Sequence, residues 1–230
     1  MRARVARFNE AIAGANLSAE AQAITAPLVR IFNGSMKDGG RFYAMGTSWQ
    51  NIKREARQHI QIGGEPVAEL DYKTLHPAIL YAEAGAAMPA DCYGIDGWPR
   101  PLVKVALLIL LNADTKQKAR LAIAHHDEMA PLAERGSQHA LQLADRLIDT
   151  LKVMHKPIAP AFHTGAALRL MNIDAEMAEA VMNAMLMKGI VVLPVHDSFL
   201  VQQSKQAELE EAMMDAAHKI GLWAVQIEAK

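Results

Sequence analysis

The sequence has a single cysteine, no long apolar run and almost no net charge, and each of these absences narrows the kind of protein it can be. Cys92 is the only cysteine among 230 residues, so an internal disulfide is excluded and a reducing compartment is expected. No apolar run approaches the roughly 20 residues of a membrane-spanning helix. The arginines that follow Met1 do not lead into the apolar segment of a signal peptide. We therefore expect a cytoplasmic protein without a membrane segment.

The charges nearly cancel, but they are unevenly distributed. The net charge of −1 argues against a simple nucleic-acid-binding arm, yet residues 1–57 contain nine Lys or Arg against four Asp or Glu and carry +5. Such a segment can follow a phosphate backbone or form an ordinary solvated surface, and charge alone does not decide between them. With 51% hydrophobic residues, no repeats and no linker, the chain is expected to form one continuous folded domain.

The most informative stretch is residues 67–81, an apolar run interrupted by one acid. Asp71 falls where a predicted buried strand ends and a helix begins, with Thr74 as the expected N-cap and Gly85 as the expected stop. A carboxylate at such a place is costly to bury unless a metal or another cation pairs with it. Taken alone, Asp71 would more simply be a helix cap.

A second stretch, residues 191–201, has the same design. His196, Asp197 and Ser198 interrupt apolar residues and predict a tight β-hairpin with Asp197 at the bend. Two strands that each present a carboxylate at the edge of a sheet can hold a pair of divalent cations, which suits in-line phosphoryl transfer. Asp197 alone is typical of a turn, but the pair favours a metal site.

Hydrophobic periodicity and turn residues predict the remaining elements. Helices are expected at residues 1–14, from Ser18 to 32, after Ser48, at 100–112, at 116–151 with a break near Pro131, at 173–188 and from Ser204 to 220. Short strands are expected at 41–43 and 222–227, and a hairpin turn at Gly63-Gly64. This order predicts an α+β fold in which helices pack on one side of an antiparallel sheet.

Arg100 and Lys104 lie one turn apart on an otherwise apolar helix, so they share a face near its N-terminal end. A triphosphate would suit this pair, because lysine acts as a point charge and arginine as a fork. Two long side chains that extend into solvent would give the same pattern.

Four short motifs resemble, in their order, those of the palm and fingers of family A nucleic-acid polymerases. This family includes bacterial repair-type DNA polymerases and single-subunit phage-type RNA polymerases. The motifs are Gly40-Arg41-Phe42 with Gln50-Asn51-Ile52, Leu70-Asp71-Tyr72, Arg100-x-x-x-Lys104, and Val195-His196-Asp197. Each motif alone is weak, but together they cover residues 39–201.

The resemblance implies a polymerase palm-like sheet at residues 39–97 and 160–230, a reduced helical fingers module at 98–159 and a helical part at 1–38. It implies that Asp71 and Asp197 are catalytic and bind two Mg²⁺ ions, with Mn²⁺ as an alternative. It implies nucleotide contacts from Arg100, Lys104, His76 and Tyr72. It implies primer–template contacts from Arg41, Gln50, Asn51, Lys53, Arg54, Arg57 and His196.

The motifs also depart from the family pattern. His76 stands where family A DNA polymerases carry a glutamate that excludes ribose, and Asn112-Ala113 replaces a Tyr-Gly pair. The run from His196 to Phe199 is closer to the phage-type RNA polymerases. The chain leaves no room for an exonuclease domain or a long thumb, which a helper protein could supply, and its small size suggests a mobile element or phage.

We therefore expect a small DNA-directed DNA polymerase that uses dNTPs. Three alternatives stay open: a primase or RNA polymerase that uses NTPs, a two-metal nuclease, and a non-catalytic nucleic-acid-binding module.

Overall fold

The computed structural model describes residues 1–19, 22–46 and 48–230. These residues form two compact units. The first unit combines Met1–Leu75 with Arg169–Lys230, and the second unit is His76–Leu168. The first unit contains the strands, whereas the second is helical.

The strands of the first unit form one antiparallel sheet and one separate hairpin. Their bounds are β1 Leu17–Ala19, β2 Gln22–Ala23, β3 Leu28–Asn33, β4 Ser35–Ala44, β5 Ile60–Ile62, β6 Glu65–Lys73, β7 Leu193–Val195, β8 Ser198–Gln202 and β9 Gln226–Ala229. Within the described residues, seven strands make up the sheet in the order β2-β1-β5-β6-β8-β7, with β9 also paired to β6, while β3 and β4 pair only with each other.

The central strand of the sheet is β6. One of its edges pairs with β8, which places Ser198 opposite Asp71, and its other edge pairs first with β5 and then with β9. Because side chains alternate along a strand, Leu70 and Tyr72 point to one face of the sheet, and Glu69 and Asp71 point to the other. One strand therefore contributes to both an apolar face and a polar face.

The apolar face packs against helix α8, Gln206–Lys219. Tyr72 is only 2% exposed, and its hydroxyl donates a hydrogen bond of 2.6 Å to the main-chain oxygen of Met213. The Tyr72 ring also meets Phe199 edge-on, with the ring centroids 6.3 Å apart. A buried tyrosine needs such a partner for its hydroxyl, so this face is a satisfied core.

The remaining helices of the first unit are α1 Arg2–Gly14 and α2 Arg54–Arg57, and α7 Ala167–Met187 enters it from the second unit. In α1, Phe8 and Ile12 are buried and lie on one face of the helix. The side chain of Asn9 bonds both main-chain groups of Leu28, at 3.0 and 2.7 Å, and so ties α1 to β3.

The β3–β4 hairpin is held by a buried arginine. The guanidinium of Arg30 lies 5.0 Å from the ring centroids of both Phe32 and Phe42. It also forms ion pairs with Glu179 at 2.6 Å and Glu176 at 2.9 Å, both on α7. Because the Arg30 side chain is only 2% exposed, these partners are what make its burial tolerable.

The second unit is built from α3 Leu75–Glu83, α4 Arg100–Asn112, α5 Lys116–His125 and α6 Gln138–Met154, and α4, α5 and α6 pack against one another. His155 is fully buried beside this bundle. Its ring nitrogens bond the Tyr81 hydroxyl at 2.9 Å and the main-chain oxygen of Cys92 at 3.0 Å. Burial lowers the pKa of His155, which fits a neutral core histidine.

The α+β fold class with an antiparallel sheet is confirmed, but the helix predicted from Ser18 to residue 32 is wrong. The described residues there form β1, β2 and β3, and Glu20 and Ala21 lie outside them. Pro27 interrupts the pattern, and the β-branched residues after it pair with β4, so strand pairing overrides an apolar spacing that also suits a helix.

Two predicted caps also differ from the structure. Ser48 is fully buried and precedes α2, which begins only at Arg54. Ser204 bonds Glu65 through both its amide and its hydroxyl, at 2.6 and 3.0 Å, so it fastens the end of β8 instead of capping α8. No helix in the described ranges combines the length and hydropathy that crossing a membrane requires.

Candidate active site

Asp71 lies near the end of β6 on the polar face of the sheet. Its Oδ2 accepts a hydrogen bond of 2.9 Å from Nζ of Lys230, whereas its Oδ1 is buried and has no hydrogen-bond partner. Burial raises the pKa of Asp71 to about 6; the hydrogen bond from Lys230 opposes the rise, and the charge of Asp197 adds to it. The carboxylate is thus only half satisfied by the protein.

Asp197 and His196 form the two-residue turn between β7 and β8. His196 has a φ of +60°, a left-handed conformation that is costly for a residue with a side chain. The main-chain oxygen of Asp197 accepts a bond of 3.3 Å from the amide of Tyr72, the residue after Asp71. The turn is therefore fastened to β6, and the two predicted carboxylates lie close enough for one charge to act on the other.

The His196 ring packs edge-on against Tyr43, with the centroids 5.8 Å apart, and its Nδ1 is buried without a hydrogen-bond partner. Burial lowers the pKa of His196, and the charge of Arg41 adds to this effect. His196 therefore carries a neutral imidazole beside the carboxylates of Asp197 and Asp174. This placement fits a residue that orients the turn.

Arg41 lies beside the turn and bonds Asp174 on α7. Its Nε is 3.1 and 3.0 Å from the two carboxylate oxygens, and Nη2 completes a forked ion pair. Burial alone would lower the pKa of Arg41, but the hydrogen bond and charge of Asp174, followed by the charge of Asp197, hold it above its ordinary value. The predicted primer–template contact of Arg41 therefore has to share the guanidinium with a partner that the sequence did not indicate.

Gln50 and Asn51 serve the fold in this structure. The Gln50 side chain accepts from the amide of Ala44 at 2.9 Å and donates to the main-chain oxygens of Phe42 at 3.0 Å and Pro194 at 2.8 Å. Asn51 donates to the main-chain oxygen of Gly46 at 3.0 Å. In this structure the Gln50 amide joins β4 to β7, and its contact with nucleic acid stays a prediction.

The contact of Tyr72 with the nucleotide also stays a prediction, and in this structure the residue packs in the core. Its side chain points to the apolar face, away from Asp71, and its hydroxyl is committed to Met213. Burial raises the pKa of Tyr72 far above its ordinary value. A tyrosine in this position stabilises the sheet from behind the site.

Beside Asp71, a buried ion-pair network continues along the polar face. Arg57 donates two hydrogen bonds to Glu69, at 3.0 and 2.8 Å, and the hydroxyl of Ser198 donates to the same carboxylate at 2.8 Å. Burial would raise the pKa of Glu69, but these bonds outweigh it and hold the pKa below its ordinary value. Arg57 is therefore paired with Glu69 in this structure, and its contact with the primer–template backbone stays a prediction.

A pocket of about 320 Å³ opens next to this network. Its lining residues are Arg54, Glu55, Arg57, Gln58, Val67, Ala68, Glu69, Leu200 and Lys230. Lys53 and Arg54 are exposed, as a role in binding nucleic acid requires.

The second unit carries the other predicted residues. Arg100 and Lys104 are exposed on α4, and their charged groups lie 5.2 and 6.0 Å from the ring centroid of Tyr93. Arg100 also pairs with Asp91 at 3.1 Å, which raises the pKa of Arg100. His76 lies in the first turn of α3 and is partly exposed. The expectation of a cationic pair on one helix face is met, and Tyr93 is an aromatic neighbour that the motif did not indicate.

The residues present fit a divalent metal that is shared with a ligand. Among the described residues, no group of three or more His, Cys, Asp or Glu could enclose an ion. Mg²⁺ is usually held by one or two carboxylates together with substrate phosphates, and it keeps several waters. Asp71 and Asp197 match this donor set, and the unpartnered Oδ1 of Asp71 is an oxygen that such an ion would satisfy.

Sequence reasoning missed Glu69, Asp174 and Lys230. Glu69 had a usable signal, because a residue two positions before Asp71 on a strand shares its face. Asp174 and Lys230 had none, since each is more than 130 residues from its partner and only the folded chain brings them together.

The antiparallel sheet and the helices packed against it place this chain in the α+β class of folds. No protein-family model matches the sequence, and no curated protein matches it either. Among solved structures, the POL domain of Pol1 from M. smegmatis in complex with DNA primer-template and dNTP is similar, with a TM-score of 0.50 and 14% sequence identity. The likeness covers 96% of this chain and 49% of that one, so this chain spans about half its length. At this identity the likeness shows the fold.

Proposed function

We propose that this chain is a template-directed nucleotidyltransferase, and more specifically a small DNA-directed DNA polymerase that extends a primer with dNTPs. The observation that carries the proposal is the pair formed by Asp71, on β6, and Asp197, in the β7–β8 turn that is fastened to β6. The solved neighbour, whose structure contains primer-template and dNTP, supports the choice of nucleic acid and nucleotide as partners. We also propose that this chain is related to the family A nucleic-acid polymerases.

In the reaction, the primer 3′-oxygen attacks the α-phosphorus of the nucleotide. A phosphodiester bond forms, the bond between the α-phosphorus and the bridging oxygen breaks, pyrophosphate leaves, and the hydroxyl proton passes to solvent. Asp71 and Asp197 would hold Mg²⁺, or Mn²⁺ in its place. When bound, the metal supplies a lowered pKa at the hydroxyl and charge neutralisation at the phosphates.

The other residues of this chain have supporting roles in the proposal. His196 and Arg41 orient the turn that carries Asp197, through Tyr43 and Asp174 respectively. Lys53 and Arg54 contact the nucleic-acid backbone, where exposed cations are effective. Arg100, Lys104 and His76 contact the nucleotide.

The proposal is tested by extension of a labelled primer on a single-stranded template with Mg²⁺, with dNTPs, with NTPs and without primer. We expect extension with dNTPs. Asp71→Asn and Asp197→Asn should each lower it by at least roughly 100-fold while the fold is retained, because a charge-stabilising metal site contributes several kcal/mol. Asp215→Asn, which removes an exposed carboxylate of α8, is the matched control and should extend normally.

The other outcomes are also informative. Synthesis from NTPs, or without a primer, would identify a primase or RNA polymerase. Metal-dependent cleavage of DNA without synthesis would identify a nuclease. DNA binding that is equal in Asp71→Asn and the parent protein, with no synthesis by either, would replace the proposal with a non-catalytic binding module.

A further inference from the structure

We propose that Lys230 is a resident competitor for the metal at Asp71, so that its ammonium group holds the carboxylate in the metal-free protein and must leave when a divalent ion binds. The inference rests on the proposed function, because it takes Asp71 to be a metal ligand. It adds a residue that lies outside the sequence motifs.

The first support is the unequal state of the two Asp71 oxygens. Nζ of Lys230 bonds Oδ2 at 2.9 Å, while Oδ1 is buried with no partner. One monovalent cation therefore satisfies half of a carboxylate that a divalent ion would satisfy more fully. The Lys230 side chain is 22% exposed and that of Asp71 15%, so the contact is only weakly screened by solvent.

The second support is that the main chain of Lys230 is held independently of its ammonium group. Its amide donates a 3.0 Å hydrogen bond to the main-chain oxygen of Glu69, which continues the pairing of β9 with β6. The four-carbon stem can then move the ammonium group without disturbing the sheet.

The third support is a second place for the ammonium group. Lys230 also lines the 320 Å³ pocket, whose lining residues include Glu55 and Glu69 together with two arginines. Its Nζ is already 3.9 Å from Oε1 of Glu69. A lysine displaced from Asp71 can therefore remain near negative charge, which lowers the cost of displacement.

Two consequences follow for the metal. The free protein should bind divalent ions weakly, since each ion has to displace a hydrogen-bonded cation. An ion that arrives with a triphosphate brings further oxygen ligands and negative charge, which favour the displaced state. Lys230 would thus make occupation of the site depend on the nucleotide.

The experiment is direct titration of the full chain with Mn²⁺, followed by electron paramagnetic resonance of the free ion, without nucleotide or DNA. Lys230→Met should bind Mn²⁺ about tenfold more tightly than the parent protein at low ionic strength, the size expected when one competing charge leaves a half-buried carboxylate. Lys230→Gln keeps a hydrogen-bond donor without the charge and should also bind more tightly. Lys188→Met is the matched control, because it removes a lysine paired with Glu211 at 2.8 Å and should leave the affinity unchanged.

The tighter Mn²⁺ binding of Lys230→Met must depend on the Asp71 carboxylate, so it should be absent in the double variant Asp71→Asn/Lys230→Met. Equal or weaker Mn²⁺ binding by both Lys230 variants, with the fold verified by circular dichroism, would overturn the inference. Primer extension separates the two claims: if Asp71→Asn still abolishes extension, the proposed function stands and only the role of Lys230 falls. If Asp71→Asn extends primers normally, both fall.

Discussion

At the scale of single residues, Asp71 is a group whose ionisation the fold resists. Its pKa in the folded protein is about 6 against an ordinary value of 3.8, because burial penalises the carboxylate more than Lys230 compensates. The folded state thus holds the Asp71 proton more tightly than the unfolded state. The resulting stability is fully present below pH 3.8 and is lost as the pH rises through about 6.

This sign gives a prediction for the metal-free protein. Asp71→Asn, which resembles the protonated acid in shape, should be more stable than the parent protein above pH 7, by about 2–3 kcal/mol at one pKa unit per 1.4 kcal/mol. The difference should shrink between pH 6 and 4. The free energy of unfolding in urea, measured in chelator at several pH values, checks it.

The exposed control Asp215→Asn should not reproduce that pH-dependent gap. A constant difference between Asp71→Asn and the parent protein from pH 4 to 8 would contradict the placement of Asp71. A stabilising loss of a carboxylate would also mean that the protein keeps this acid at the expense of stability, as metal and catalytic sites do.

The sequence was informative at this scale wherever a residue broke a local pattern. Asp71 and Asp197 each interrupt an apolar strand, and that interruption is visible without a structure. The partners that set their chemistry were not visible. Lys230 and Asp174 are ordinary charged residues in the sequence, and only strand pairing and helix packing bring them to the site.

At the scale of elements, the β3–β4 hairpin explains the glycine of the Gly40-Arg41-Phe42 motif. Gly40 has a φ of +86°, and a Cβ there would lie 2.6 Å from Cε1 of Phe32 and 3.0 Å from Nη2 of Arg30. The main-chain oxygen of Gly40 also accepts a 2.7 Å bond from Nε of Arg30. Close packing over a left-handed backbone accounts for glycine at this position.

We therefore expect Gly40→Ala to destabilise the protein by about 2–4 kcal/mol, through left-handed strain together with a clash in a packed layer. Gly34→Ala in the same hairpin is the matched control. Gly34 has a similar φ of +79° but nothing within 4 Å of its Cβ, so its replacement should cost only about 1 kcal/mol. Urea unfolding of both variants measures the difference, and equal losses would show that the Phe32 contact does not matter.

Turns and helices that are determined by their own residues could be predicted from the sequence. Strands that depend on pairing with a distant segment could not. The turns at Gly63-Gly64 and His196-Asp197 follow from residues at the bend, and α4 follows from an apolar stripe. The segment after Ser18 failed because its spacing suits either a helix or strands. Its pairing partners, β4 and β5, decide the outcome and lie farther along the chain.

At the scale of the whole molecule, the proposed function assigns a role to residues of each compact unit. The carboxylates belong to the first unit, whereas Arg100 and Lys104 belong to the second. Lys104 is exposed on α4 with its ammonium group over Tyr93. If it neutralises a triphosphate, its loss should weaken nucleotide binding while leaving the carboxylates and the bound DNA undisturbed.

Lys104→Ala is accordingly expected to raise the dNTP concentration for half-maximal extension by about tenfold, with a smaller change in the maximal rate. Primer–template affinity, measured by fluorescence anisotropy, should stay the same. Lys118→Ala removes an exposed lysine of the same unit, paired with Asp114 at 2.7 Å, and should alter neither quantity. An unchanged dNTP requirement in Lys104→Ala would mean that Lys104 does not contact the triphosphate, which is then held by other residues.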